Sequence, residues 1–217
     1  MLYVAERTSI LVPKLYAAYS HGPISRDLND HGSVYDLYII MKSIDGEDLR
    51  KSWDKHTSTE KQAISADLKK HIDELRSLPP ASYIRSVHEG PVTDNMLEWS
   101  TFCRGMSSRP CQAIGSVFLT RRAGPFKSIE DFNATIIDTF IAKSKTQVGT
   151  YVRGMLCAHK HEIIFTHGDL RPDNIIVKDG RVAAIIDWEM SGWYPEYWGS
   201  PRHSGSNTSL LTVDRIY

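Results

Sequence analysis

Residues 167–174 read His-Gly-Asp-Leu-Arg-Pro-Asp-Asn and lie between two short apolar runs, residues 163–165 and 175–177. A third run, residues 182–186, follows Lys178-Asp179-Gly180 and delivers the chain to Asp187. Short apolar runs rich in isoleucine and valine, bounded by turn residues, suit strands better than helices. Asp-Gly between the last two predicts a tight hairpin, because its turn positions need positive φ and glycine adopts that without steric cost. The fold must therefore hold a polar loop between strands and return the chain so that Asp187 comes back beside Asp169 and Asn174.

The rest of the chain supplies the body that carries this loop. Residues 11–19 and 35–41 are rich in β-branched and aromatic side chains and predict two strands joined by a polar loop. Thr57-Ser58-Thr59-Glu60 fits a capping box, and Ile64, Leu68, Ile72 and Leu75 then recur at helical spacing until Pro79-Pro80 ends the pattern. Residues 81–127 show no sustained period and predict long loops with short elements. Ser128 offers a cap to a helix bearing Phe132, Ile136 and Phe140, whose spacing marks a core face. Val148, Tyr151, Val152 and Met155 predict another. From residue 199 to 209 the composition turns to Gly, Ser, Asn, Pro and His, which predicts a disordered tail.

Composition excludes some partners. Lysine plus arginine equals aspartate plus glutamate at 26 each in 217 residues, so no net field draws nucleic acid or an anionic membrane. Phosphate binding has to be local. Apolar residues at 41% and charged residues at 24% are enough for a packed core. No stretch reaches the roughly 18 apolar residues of a membrane span. Cys103, Cys111 and Cys157 cannot all pair with one another, and the apolar start is too short for a signal peptide. Those features read as a cytoplasmic protein with reduced thiols.

Asp169, Asn174 and Asp187 offer oxygen groups of the kind phosphoryl transfer uses. That reaction needs an acceptor for the nucleophile's proton and divalent cations for the polyphosphate, and little else from side chains. Mg²⁺ takes hard oxygen ligands, often one or two from protein with phosphate and water supplying the rest, so Asn174 and Asp187 are the candidate metal ligands. Asp169 is the candidate base, and Arg171 the candidate side chain to offset charge on the transferring phosphate. His167 reads as a brace for the loop. Taken singly, each of the three oxygen-bearing residues is an ordinary turn residue; their spacing and flanking strands distinguish them.

His-x-Asp-x-x-x-x-Asn, then strand, turn, strand and Asp, resembles the catalytic and metal-binding segments of the aminoglycoside phosphotransferase and choline kinase superfamily. Gly168, where protein kinases usually have arginine, resembles its small-molecule branch, as does Trp188-Glu189 after the second aspartate. Residues 192–198, Gly-Trp-Tyr-Pro-Glu-Tyr-Trp, are similar to fungal members. More loosely, residues 8–16 resemble the strand entering the small lobe. Residues 38–46, Tyr-Ile-Ile-Met-Lys-Ser-Ile-Asp-Gly, resemble the hinge whose backbone holds adenine, which implies Met41, Lys42, Ser43 and Ile44 as nucleotide contacts. The resemblance implies an α+β, protein-kinase-like fold. Residues 1–44 would be a remnant of the small lobe and hinge, residues 45–198 the helical large lobe with the catalytic loop, and residues 199–217 a tail. It implies ATP and Mg²⁺ as co-substrate and cofactor, and a hydroxylated small molecule as acceptor.

Two departures accompany the resemblance. The family's phosphate-covering loop and its lysine have no matching positions here, and the helices that build much of the acceptor site do not follow Trp198, so the chain reads as cut at both ends. A catalytically inactive kinase-like binding or regulatory protein is therefore the alternative. A metal-dependent hydrolase built on His167, Asp169 and Asp187 is a third reading, poor in ligands for that chemistry. Cys157, His159 and His161 lack the paired spacing of zinc sites, and the aromatics of residues 193–198 suit packing better than ligand stacking.

Overall fold

The computed structural model describes residues 1–24, 35–94, 97, 122–144, 154 and 160–199, and over these an α+β architecture forms. In chain order its elements are α1 (Leu2–Arg7), β1 (Leu15–His21), β2 (Asp36–Met41), β3 (Glu47–Asp48), α2 (Leu49–Ser52) and α3 (Ser58–Arg76). There follow β4 (Arg85–Ser86), β5 (Val92–Thr93), β6 (Arg122–Ala123), α4 (Ile129–Ser144), β7 (Ile163–Thr166), β8 (Ile175–Lys178), β9 (Arg181–Ile185) and β10 (Gly192–Pro195).

The long helix α3 starts where the sequence says it should. The Glu60 N–H donates to Thr57 Oγ1 at 3.3 Å and the Thr57 N–H donates to Glu60 Oε2 at 2.7 Å, which satisfies two donors that a helix start otherwise leaves open. Its stripe of Ile64, Leu68, Ile72 and Leu75 is buried. That stripe shares one core with Leu49 and Trp53, with Phe165, Ile175, Val177, Val182 and Ile185 from the strands, and with Trp188 and Trp193. Val4 and Ile10 belong to the same core, with Tyr3 and Val12 packed against it. The first dozen residues thus pack with the part of the chain that carries the loop. Only the β1–β2 hairpin within residues 1–44 stands as a sheet of its own.

A second, smaller core gathers Ile84, Val92, Leu97, Phe126, Phe132, Ile136 and Tyr194. Helix α4 enters it as expected: Ser128 Oγ accepts from the Asp131 N–H at 3.1 Å, and Phe132 meets Phe126 and Trp198 edge to face. The Phe140 side chain lies outside the described residues. So do the helix expected around residues 148–155 and the tail expected over 199–217, Gly154 and Gly199 apart.

Strand pairing departs from sequence order at the site. β7 precedes the polar loop and β8 follows it, yet they lie in different sheets, ordered β4-β10-β7 and β3-β8-β9. β8 and β9 form the expected hairpin, with Lys178 opposite Arg181 and both Asp179 (φ 51°) and Gly180 (φ 71°) left-handed. One expectation is corrected. The strand placed over residues 11–19 begins only at Leu15, because Pro13 has no N–H to give a ladder and the Leu11 carbonyl accepts instead from Ile185 N at 2.8 Å.

Candidate active site

The polar loop begins where β7 ends. Thr166 closes that strand, His167 is almost completely buried, and Gly168 follows at φ 83°. A side chain at position 168 would place its Cβ 2.3 Å from the Met190 carbonyl oxygen. Only glycine fits, for its backbone angle and for the contact, and the contact sets the loop directly against the turn Trp188–Met190.

His167 joins the two halves of the site. Its Nδ1 accepts from the Asp169 N–H at 3.3 Å, which leaves the proton on Nε2 to donate to the Ile186 carbonyl at 2.9 Å. Burial pushes its pKa down to about 4, so the ring is neutral. It braces the loop against the residue immediately before Asp187, while Trp188 covers the ring at a centroid distance of 4.4 Å.

Asp169 and Asn174 are brought together. Asp169 is 7% and Asn174 5% exposed, and Asn174 Nδ2 donates to the Asp169 backbone oxygen at 2.8 Å and to its Oδ2 at 3.3 Å. Those bonds spend the amide nitrogen and leave Asn174 Oδ1 as an oxygen ligand. The backbone of Asn174 also accepts from Ile186 N at 2.9 Å, which holds the end of β9 beside it. Arg171 Nε lies 3.1 Å from Asp169 Oδ2, yet its N–H is buried and aimed at no acceptor among the described residues. The pair is a close charge contact with an unused donor.

Asp187 sits in the left-handed region at φ 62° and ψ 57°, exposed, and among the described residues its carboxylate has no hydrogen bond or ion pair. A non-glycine residue in that conformation costs roughly 1 kcal/mol or more, which surrounding structure must hold in place. A cleft of about 590 Å³ opens beside the following turn, bordered by Tyr3, Leu15, Ile39, Val87, Trp188 and Glu189.

The residues expected as the hinge, 41–44, run from the end of β2. Met41 ends β2 opposite Leu15, and the Lys42 N–H donates to the Lys14 carbonyl at 2.8 Å, so that donor is spent inside the protein. Residues 41–44 do not border the cleft. Of the cysteine and histidine group, His161 alone lies within the described residues, with Nδ1 2.9 Å from Glu196 Oε1. No cluster of three or more His, Cys, Asp or Glu side chains able to hold a metal occurs among the described residues.

Residues 127–198, which include the whole loop and Asp187, match the sequence profile of the phosphotransferase enzyme family. The similarity to that family covers about a third of the chain. The described residues have the α+β class expected from the sequence. No curated protein matches the chain. Among solved structures, a thermostable mutant of aminoglycoside phosphotransferase APH(4)-Ia in a ternary complex with ADP and hygromycin B is similar at 16% identity and a TM-score of 0.48, over 88% of this chain and 55% of that one. ADP-bound APH(2'')-Ib is similar at 13% identity and 0.45, over 88% and 53%. The gentamicin complex of APH(2'')-IIa is similar at 15% and 0.46, over 89% and 52%. The chain spans about half the length of these structures. No helix among the described residues is long and apolar enough to cross a membrane.

Two residues that sequence reasoning missed touch the loop. Asp173, in the turn Pro172–Asn174, pairs with Arg50 of α2, Nε to Oδ1 at 2.5 Å, across 123 positions of chain. No local pattern signals such a pair, because its partners lie 123 positions apart.

Proposed function

We propose that this chain carries the site of an ATP- and Mg²⁺-dependent phosphotransferase acting on a hydroxyl group of a small molecule. The observation that carries the reading is Asp187, a carboxylate without a partner among the described residues, held in a left-handed conformation directly after Ile186, whose N–H bonds the Asn174 carbonyl. Strain kept in place around a free carboxylate suits a ligand that the polypeptide itself does not supply.

The donor set fits the ions and phosphates this reaction needs. Asn174 Oδ1 and the Asp187 carboxylate are hard oxygen ligands, few enough to leave positions for phosphate oxygens and water. The unsatisfied Arg171 Nε–H fits a phosphate oxygen. Bound Mg²⁺ would supply charge neutralisation across the phosphates. Asp169 accepts the proton of the attacking hydroxyl while Arg171, beside it, faces the charge that develops on the transferred group. His167, neutral and fully engaged, holds Asp169 and the approach to Asp187 at a fixed separation. The backbone of Met41, Lys42, Ser43 and Ile44 is the proposed edge for adenine, with the Lys42 N–H already given to the Lys14 carbonyl.

Calorimetric titration with Mg²⁺·ATP tests the assignment. Asp187→Ala should weaken binding at least tenfold, and unchanged affinity would overturn it. ATP-dependent labelling of a panel of hydroxylated compounds, lost in Asp169→Asn, separates a working transferase from a binding protein with the same site.

A further inference from the structure

Building on the phosphotransferase reading, we propose that Arg50 is a positioning residue for the metal-binding end of the loop, acting through Asp173. The pair lies outside the residues assigned to the chemistry, and the fold goes to some length to present it.

Arg50 starts from a rigid base. Gly46 lets the backbone run against β8, since a Cβ there would lie 2.5 Å from the Val177 carbonyl oxygen. β3 then pairs with β8, Glu47 opposite Val177 and Asp48 opposite Ile176. Asp48 caps α2 by accepting from Lys51 N at 2.9 Å, while Leu49, Ser52 and Trp53 are buried. Helix α2 is thereby fastened to the strand that leaves the catalytic loop. From it Arg50 reaches back over the loop to Asp173, the residue between Pro172 and Asn174.

The consequence falls on Asn174. Its N–H donates to the Arg171 carbonyl at 2.9 Å, and its side chain reaches Asp169. Those contacts are internal to the loop, and outside it the Asn174 carbonyl accepts from Ile186 N at 2.9 Å. His167 fixes one end against Ile186. The Arg50–Asp173 pair fixes the other against α2, through a charge-assisted bond that lowers the pKa of the Asp173 carboxyl and raises that of the arginine.

The test uses the full chain and two readouts. Both partners are partly exposed, so solvent screens the pair, and Arg50→Ala should speed hydrogen exchange at the amides of Asn174 and Ile186 by about two- to fivefold. Exchange in α4 should not change. The same variant should raise the Kd for Mg²⁺·ATP about three- to tenfold and leave binding of Mg²⁺-free ADP unaltered, a split that general loosening would not produce. Exchanging the charges, Arg50→Asp with Asp173→Arg, should recover most of the exchange protection. Unchanged loop exchange in Arg50→Ala, or equal losses with and without Mg²⁺, would overturn the proposal. If Asp187→Ala leaves Mg²⁺·ATP binding intact while Arg50→Ala still speeds loop exchange, the phosphotransferase reading fails and the tether stands as structural, which also overturns its catalytic role.

Discussion

Gly168→Ala offers a sharp test of how the loop is seated. The added Cβ would stand 2.3 Å from the Met190 oxygen and 2.8 Å from its carbonyl carbon, both backbone atoms that cannot rotate away. At φ 83° the alanine also bears a left-handed penalty of roughly 1–2 kcal/mol. Forcing the two backbones apart adds the cost of overpacking, about 1–3 kcal/mol. A destabilisation of about 3 kcal/mol corresponds to a fall in Tm of about 6–12 °C for a chain of this size. Gly180→Ala is the control. Its φ is 71°, but its Cβ would meet Glu60 Cγ at 2.6 Å, and that side chain can move, so a drop of only a few degrees is expected. Thermal unfolding followed by circular dichroism compares the two. A Gly168→Ala protein no less stable than Gly180→Ala would refute the claim that the contact with the turn Trp188–Met190 excludes every side chain.

Two further outcomes follow from burial and exposure. His167 is neutral when folded, with its pKa down at about 4, whereas unfolded it titrates near the ordinary 6.5, so the unfolded chain takes up the proton first as pH falls. Its contribution is complete above about pH 6.5 and is lost on the way down to about pH 4, where about 3 kcal/mol is gone. Urea unfolding at about pH 7.5 and about pH 4.5 should show a smaller pH dependence in His167→Gln than in the parent, and equal dependence would contradict a buried neutral ring. Leu37, 68% exposed on the two-stranded β1–β2 sheet, should accept lysine with a change in Tm of under about 2 °C and lower light scattering at high concentration. A larger fall in Tm would mean that this face is packed.

Elements with a local cause were legible from the chain. Thr57 and Glu60 announce the start of α3 because the capping box is made by neighbours three residues apart, and Asp179-Gly180 announce the β8–β9 turn because positive φ is a property of the residues themselves. The oxygen-bearing set of Asp169, Asn174 and Asp187 could be singled out for the same reason, since its spacing within loop and hairpin is short. Boundaries were less secure. Residues 11–14 have strand-like composition, but Pro13 and the bond from Ile185 N to Leu11 put them outside β1.

Sequence by itself therefore determined the residue types of the site, the hairpin that returns Asp187, and the amphipathic helices that bury the core. Tertiary structure decided that β7 and β8 part into different sheets, that the ring of His167 spans from Asp169 to Ile186, and that Arg50 meets Asp173 across 123 positions. It also gave Gly168 its reason, which lies in the backbone of Met190 rather than in any neighbour along the chain. The division is physical: turns, caps and helical stripes are set by interactions over a few residues, whereas contacts between distant segments exist only after the apolar faces have found one another and closed the core.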